Sequence, residues 1–501
     1  MKRLTVKLAA LASCLALLSG ISLVSAPAAG ARVKKDLRAA SAGVKYLDGT
    51  FALYDSLQRQ IFDYAEVGYH EYKSAEALCR HLEENGFTVE RGIAGIPTAF
   101  VARFGSGSPV IGLMAEYDAL PGLSQEILPY RKAREEGGAG HGCGHNLLGT
   151  AAVAGAVAIS KYLAQGHAGT VCLFGCPAEE GGGGKAYMMR EGCFEGLDAM
   201  LDWHPDTQIT VNDKTGLANV QVKFSFHGKS SHAAGAPDKG RSALDAVEAF
   251  DYMMNLMREH VPSDSRIHYV ITAGGKAPNV VPDFAQVVYY FRNPDREVVR
   301  DIFNRAVKAA EGAAMGTGTT MEYEIISGNY ERLPNQTLSD LVYKNLQAVG
   351  GVFYDDAEMV FAKEMMANSG ITDPAAVDAA LWKIQHVIPA SENKLSGWVS
   401  SDVGNVTWGV PTGSFRMAAF APAGSGHCWQ QVASGGSTIG TKGLMAAARV
   451  FYLCAYDLLN SPETVAAAKA EFERKRGADF KFVPPDGGPA ARFRLSVEEV
   501  R

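Results

Sequence analysis

Four short turns place metal-seeking side chains beside small residues: GHGCGHN at 140–146, PAEEGGGGK at 177–185, DWHP at 202–205 and GHCW at 426–429. Together they supply a thiol, two or three imidazoles and a carboxylate pair. Singly, a Cys-Gly-His or a Glu-Glu is common on an ordinary surface. In this order they are the set a two-metal hydrolase needs, with ligands for divalent ions, a bound water and a spare carboxylate to take that water's proton. Cys143 as thiolate, His145, Glu180, His204 and His427 give five protein ligands, enough for two ions if one ligand and a water bridge them. Glu179, next to Glu180, is the candidate general base. Asp118 is placed to orient an imidazole ligand, and Glu116 reads equally as a similar neighbour or as a solvated charge at a strand end.

The elements that must position these groups follow from hydrophobic spacing. Helical spacing runs from Tyr54 to Asn85, then come the apolar runs TAFVARF and VIGLMAEYD, a helix-like stretch from Leu147 to Gln165, and the strand TVCLFGCP. Helices alternating with apolar strands predict an α/β unit with a largely parallel sheet. Chemistry in such sheets gathers at the carboxyl ends of the strands, and Asp118, the Glu179-Glu180 pair and His204 all follow predicted strands. From about Gly216 the pattern changes to alternating strands (NVQVKFSFHG, RIHYVITAGG, FAQVVYYFRN) around two helices, near Ser242 to Glu259 and Asp295 to Gly312. This predicts a separate α+β insertion ending near Gly328. The first pattern then resumes, with helix-like Leu338 to Val349, strand-like TGSFRMAAFA and a final helix from Lys442 to Leu459. His427 comes from this returning half, so distant segments close the site.

Size and composition leave room for such an enzyme. The chain has 501 residues, 47% of them hydrophobic, more than one core holds, so two compact units are expected. A formal charge of -6 argues against a nucleic-acid surface. A basic start, an apolar stretch from Leu8 to Val24 and Ala29-Gly30-Ala31 read as a signal peptide over residues 1–31, which predicts an exported protein with no membrane segment after cleavage. Leu11-Ala12-Ser13-Cys14 also offers a lipoprotein reading, but the apolar run continues well past Cys14. The eight cysteines lack paired spacing, and Cys172 and Cys176 read as buried strand residues. The organisation is then a catalytic domain over 45–215 and 331–465, an insertion over 216–330, and a C-terminal helix and tail over 466–501 without assigned chemistry.

With DVGNVTW and the GHCWQ that precedes STIGTKG, these motifs resemble the binuclear metallopeptidases typified by aminoacylase and carboxypeptidase G. They are most similar to the amidohydrolase branch that includes p-aminobenzoyl-glutamate hydrolase, and within it to the B-subunit type. The resemblance covers about Ala52 to Leu459. Many of the wider group carry His-x-Asp where this chain has Glu116-Tyr117-Asp118, and the branch supplies Cys-Gly-His instead, here Cys143 and His145. Asn146 stands where the branch usually has Asp. The resemblance implies that the insertion is a lid and dimerisation domain. It further implies that His232 reaches a partner's active site to stabilise the oxyanion, and that Asn279 and Arg292 hold the substrate's carboxylate. Those residue types suit the roles, since a donor aimed at developing charge speeds reaction and Arg offers a rigid fork to a carboxylate.

The sequence therefore predicts metal-dependent hydrolysis of the amide of N-acyl or N-aroyl amino acids, p-aminobenzoyl-glutamate-like substrates favoured. It would use two divalent ions, Mn2+ or Zn2+, in a homodimer or a heterodimer with a paralogous subunit. The alternatives are a dipeptidase or aminoacylase of other specificity, or a non-catalytic metal or peptide binding protein, which should lack the base. A phosphate loop at GGGGK is excluded because that motif needs Gly where Glu179 stands and Ser or Thr where Ala186 stands. A zinc nucleobase deaminase would need Pro-Cys-x-x-Cys, and Pro177 is followed by Ala178 and Glu179.

Overall fold

A computed structural model describes residues 41–393 and 399–483. The signal peptide expected over 1–31 and the end of the tail, 484–501, lie outside the described residues. The strands are β1 Thr88–Arg91, β2 Phe100–Ser106, β3 Val110–Ala115, β4 Gly169–Gly175, β5 Ala199–Asp206, β6 Ile209–Val211, β7 Ala218–His227, β8 Arg266–Ala273, β9 Phe284–Asn293, β10 Thr320–Asn329, β11 Val387–Ile388 and β12 Thr412–Ala418.

They form an eight-stranded sheet in the order β1-β2-β4-β3-β5-β12-β6-β11 and a four-stranded sheet in the order β10-β7-β9-β8. The inner strands β4, β3, β5 and β12 run parallel, with antiparallel pairings towards the margins. Their carboxyl ends therefore open on one side, where β3 leads to Asp118 and β4 to Glu179. The helix His145–Leu163 is apolar all round because it is sandwiched between this sheet and the helices Phe51–Tyr64 and Thr438–Leu459. It is also the one described helix long and apolar enough to cross a membrane, and nearly all of it is buried in the core.

The stretch from Tyr54 to Asn85, expected to be helical throughout, is two helices, Phe51–Tyr64 and Tyr72–Glu84. Ala65 ends the first in a left-handed conformation, φ 43°, and its N–H returns to Ile61 O. The intervening loop brings Tyr69 and Glu71 to the site.

The inserted unit is α+β, as its pattern predicts. Val220, Val222, Phe224 and Phe226 alternate inward on β7, matched by Ala285, Val287, Tyr289 and Phe291 on β9. The helices Ala243–Met257 and Arg296–Thr317 cover that face, started by Ser242 and Asp295 caps. A fourth strand, β10, pairs with β7 where the sequence pattern gave three; its residues Thr320, Glu322, Tyr323 and Glu324 are exposed and mask the alternation. At the crossover back to the first unit, the Arg296 guanidinium lies 3.7 Å from the Trp408 ring centroid and forms an ion pair with Glu331 at 2.6 Å.

Candidate metal centre

The core helix starts at Gly144, whose φ of 77° is left-handed and where a Cβ would lie 2.6 Å from Phe420 Cζ. This turn sets Cys143 and His145 side by side at the amino end of the helix. Cys143 Sγ lies 3.2 Å from His204 Nε2. His204, carried on β5, donates from Nδ1 to the Pro205 carbonyl at 2.7 Å, so Nε2 presents its lone pair to the space beside the sulfur. His145 is held from the end of β3, with Nδ1 at 2.8 Å from Asp118 Oδ1 and 3.1 Å from Asp118 O. Such a carboxylate fixes the tautomer and raises the basicity of the other nitrogen.

Asp118 also joins two strand ends, since its Oδ2 accepts the Glu180 N–H at 2.9 Å. Glu180 Oε1 in turn lies 3.5 Å from Nε2 of His427, which is half-exposed at the mouth. His427 arrives beyond β12 on a left-handed backbone, φ 44°, directly after Gly426 at 101°.

Three groups of potential ligand atoms each lie within 4.8 Å of one another: Cys143, His145 and His204; Cys143, Glu180 and His427; Glu116, His145 and Glu179. Cys143 belongs to the first two, so one sulfur can serve two cations. His145 Nε2 and Glu180 Oε1 are buried without a well-formed hydrogen bond. Buried polar atoms are rarely left so, and a convergent set of sulfur, nitrogen and oxygen donors fits divalent metal ions.

The electrostatics with protein atoms alone point the same way. Burial pushes the Cys143 thiol up, and Glu180 adds to the effect. Burial and then Asp402 raise Glu179, while burial lifts Glu180 to about 8 against the opposing pull of His145. His204 is driven well down by burial and by Arg416, which keeps it neutral. Burial pulls His145 down too, but Asp118 and Cys143 outweigh it and carry it well above its ordinary value. Acids raised together in a closed site are those that bound cations would relieve.

Behind the ligands is a network that the sequence reading does not assign. Lys185 Nζ lies 2.6 Å from both Glu116 Oε1 and Asp402 Oδ1, and its backbone N–H donates to Asp402 Oδ2 at 2.9 Å. Lys185 and Asp402 are wholly buried. Glu116 is 2% exposed, with Oε2 3.3 Å from His145 Nε2, so its reading as a solvated strand-end charge is overturned. The carboxylates outweigh burial, which would lower Lys185, and hold it charged. The one sequence signal was Lys185 itself, an ionisable group directly after four glycines.

The insertion's candidates stand apart from the cluster. His232 Nδ1 accepts the N–H groups of Ala234 and Gly235 at 3.2 and 3.0 Å, and the exposed Asn279 takes the Ala233 N–H on its carbonyl at 3.0 Å. Among the described residues neither bonds to the proposed ligands. Arg292 on β9 donates to Ser400 Oγ at 3.1 Å and lies over the Tyr290 ring, but its Nε is buried without a partner.

With this geometry in place, similarity to known proteins decides the family. The profile of Peptidase family M20/M25/M40 matches residues 112–454. The chain belongs to that family. This M20-family chain is 41% identical over 419 residues to the B subunit of Escherichia coli p-aminobenzoyl-glutamate hydrolase, covering 79% of the chain and 87% of that protein. It is 29% identical to mouse Xaa-Arg dipeptidase, covering 84% of the chain and 89% of the relative. A solved Bacillus subtilis protein described as a dinuclear metal binding peptidase from family M20 superposes with a TM-score of 0.55 at 17% identity, covering 83% and 99% of the two chains, which shows the shared fold. Membership makes this chain a hydrolase of amide bonds, built as a mostly parallel α/β catalytic domain with an inserted antiparallel lid domain.

Proposed function

We propose that this chain hydrolyses N-acyl or N-aroyl amino acids, with p-aminobenzoyl-glutamate-like substrates favoured, using two divalent ions, Mn2+ or Zn2+. The observation that carries the reading is the sharing of Cys143 between two ligand triads, with Glu179 beside them. Cys143, His145 and His204 would hold one ion, and Cys143, Glu180 and His427 the other. When bound, the ions would polarise the amide carbonyl and acidify the attacking water.

Glu179 takes the proton of the attacking water as oxygen bonds to the carbonyl carbon, then delivers it to the leaving nitrogen as the C–N bond breaks. A carboxylate held beside both the water and the leaving nitrogen can make both transfers. Asp118 holds His145 in one tautomer. Arg292 and Asn279 receive the substrate's carboxylate, a role supported for Arg292 by its unpaired Nε.

His232 serves the site of an adjoining protomer, where it donates to the oxyanion. Assembly is supported by the E. coli relative being one subunit of its hydrolase, and by the outer strand β8, which exposes Tyr269, Val270 and Ile271. The partner is a second copy or a paralogue. The proposal includes export, on the basic and apolar start at residues 1–31.

The experiment is a panel of acyl-glutamates, aroyl-glutamates and Xaa-Arg dipeptides, assayed with manganese or zinc restored to the metal-stripped enzyme. Aroyl-glutamate should be the best substrate, and Glu179→Ala should lose on the order of 100- to 10,000-fold in kcat while retaining its metal. Activity surviving Glu179→Ala would remove the mechanism, and preference for the dipeptides would replace the substrate.

A further inference from the structure

Glu179 and Glu180 stand on a turn whose backbone is forced. Ala178, wholly buried before them, has a φ of 56°, a left-handed conformation that a residue with a Cβ rarely adopts. Contacts that hold the turn come from the loop 66–71, which breaks the predicted helix. Glu71, with no exposed surface, accepts the Ala178 N–H on Oε1 at 2.8 Å and the Thr98 hydroxyl on Oε2 at 3.0 Å. Tyr69 donates its hydroxyl to the Gly182 carbonyl at 2.7 Å. Gly68 packs so closely that a Cβ would lie 3.1 Å from Ala178 Cα. On the far side Asp118 accepts the Glu180 N–H. Two buried carboxylates thus pin the backbone before and after Glu179, whose own carboxylate is left facing Glu116 and His145.

Glu71 belongs to none of the three ligand groups, so its burial is not explained by metal. Nor is it economical packing, because an apolar side chain would fill the space without desolvating an acid. What it provides that an apolar residue cannot is an acceptor for one particular N–H. The geometry points to Glu71 as a positioning residue for the hydrolysis: by pinning the Ala178 N–H it fixes the left-handed turn that aims the Glu179 carboxylate. This rests on Glu179 being the general base.

The test compares Glu71→Ala with Glu71→Gln, whose amide oxygen keeps an acceptor for Ala178 and whose amino group can donate to the Thr98 hydroxyl. Displacing a catalytic group by about 1 Å costs on the order of 100-fold, so Glu71→Ala is expected to lower kcat by about 30- to 100-fold with KM held within about threefold. Metal content per folded protomer stays unchanged, and hydrogen-exchange protection of the Ala178 amide is lost. Glu71→Gln keeps that protection and stays within about threefold of the parent kcat. Tyr69→Phe, which removes only the hydroxyl on Gly182, lowers kcat by about 3- to 10-fold and carries the test if Glu71→Ala does not fold. Unchanged kcat per folded protomer in Glu71→Ala, or in Tyr69→Phe where the former is unfolded, overturns the inference. So does equal loss in Glu71→Gln with the Ala178 amide still protected. Full activity in Glu179→Ala would instead sink the assignment of the base, whereas an inactive Glu179→Ala beside a fully active Glu71→Ala places the failure on Glu71 alone.

Discussion

At the carboxyl ends of β3 and β4 the protein buries Glu71, Glu116, Asp118 and Lys185 among metal-ligand candidates, with Asp402 from the returning half. The inserted domain does the opposite. Its interior is Val222, Phe224, Phe226, Phe250, Val287 and Phe291, and among the described residues the one buried ionisable carboxylate there is Asp251, hydrogen-bonded by the Tyr289 hydroxyl at 2.5 Å. Both regions are closed to solvent. In the insertion, stability is nearly a sum of apolar contacts, each replaceable by another of similar volume. At the strand ends each charge is tolerable only because a neighbour balances it, so stability and chemistry there rest on the same groups.

The largest expected effect tests whether the two regions cooperate across protomers. Glu179→Ala and His232→Ala are each expected to be nearly inactive. If His232 serves the adjoining protomer of a homodimer, exchanging the two variants restores about a quarter of the parental sites, because half the dimers are mixed and each has one intact site. Proven exchange without recovery would confine His232 to its own chain or to no role at all.

The comparison is sharpened by Lys185→Met, which leaves Glu116 and Asp402 facing each other unpaired. We expect a loss of about 3–5 kcal/mol from the catalytic unit, read in urea unfolding, together with loss of activity. The insertion's own transition should not move. A cost below about 1 kcal/mol would show that Lys185 does not counterbalance the two acids.

The smallest effect concerns Asp251. Burial raises it from 3.8 to about 6, against the lowering influence of Tyr289. Its folded pKa lies above its unfolded one, so the ionised form is the disfavoured one in the native state. The resulting cost is absent below about pH 4, grows from pH 4 to 6 and is complete above it. Asp251→Asn should remove that slope, leaving the insertion more stable than the parent by about 1–2 kcal/mol at pH 8, after discounting for partial solvation, and by much less at pH 4. Parallel stability profiles for the two chains between pH 4 and 8 would contradict it.

Much of the site was legible because each ligand sits in a short turn with its own local signature. The five candidates Cys143, His145, Glu180, His204 and His427 could be picked from four such turns, and the structure brings them together. The change of period near Gly216 likewise announced the insertion. What escaped was long-range. Lys185 looked like half of a phosphate motif, and its partner Asp402 is 217 residues away. Glu71 looked like one more polar residue in a helical stretch, and its acceptor role appears only against Ala178, 107 residues on. The loop that carries it was hidden because Ala65 ends the preceding helix without a Gly or Pro to mark the break.

The sequence alone determined which chemistry was available: residue types and hydrophobic period are local properties, and they fix the ligand inventory, the parallel α/β core and the insertion. Tertiary structure decided which groups are charged, which are orienting and which way each imidazole presents its lone pair. Those properties depend on distance and burial, and only the closing of β3, β4, β5 and β12 side by side brings Asp118 onto His145, Lys185 between Glu116 and Asp402, and Glu71 onto the turn that carries Glu179.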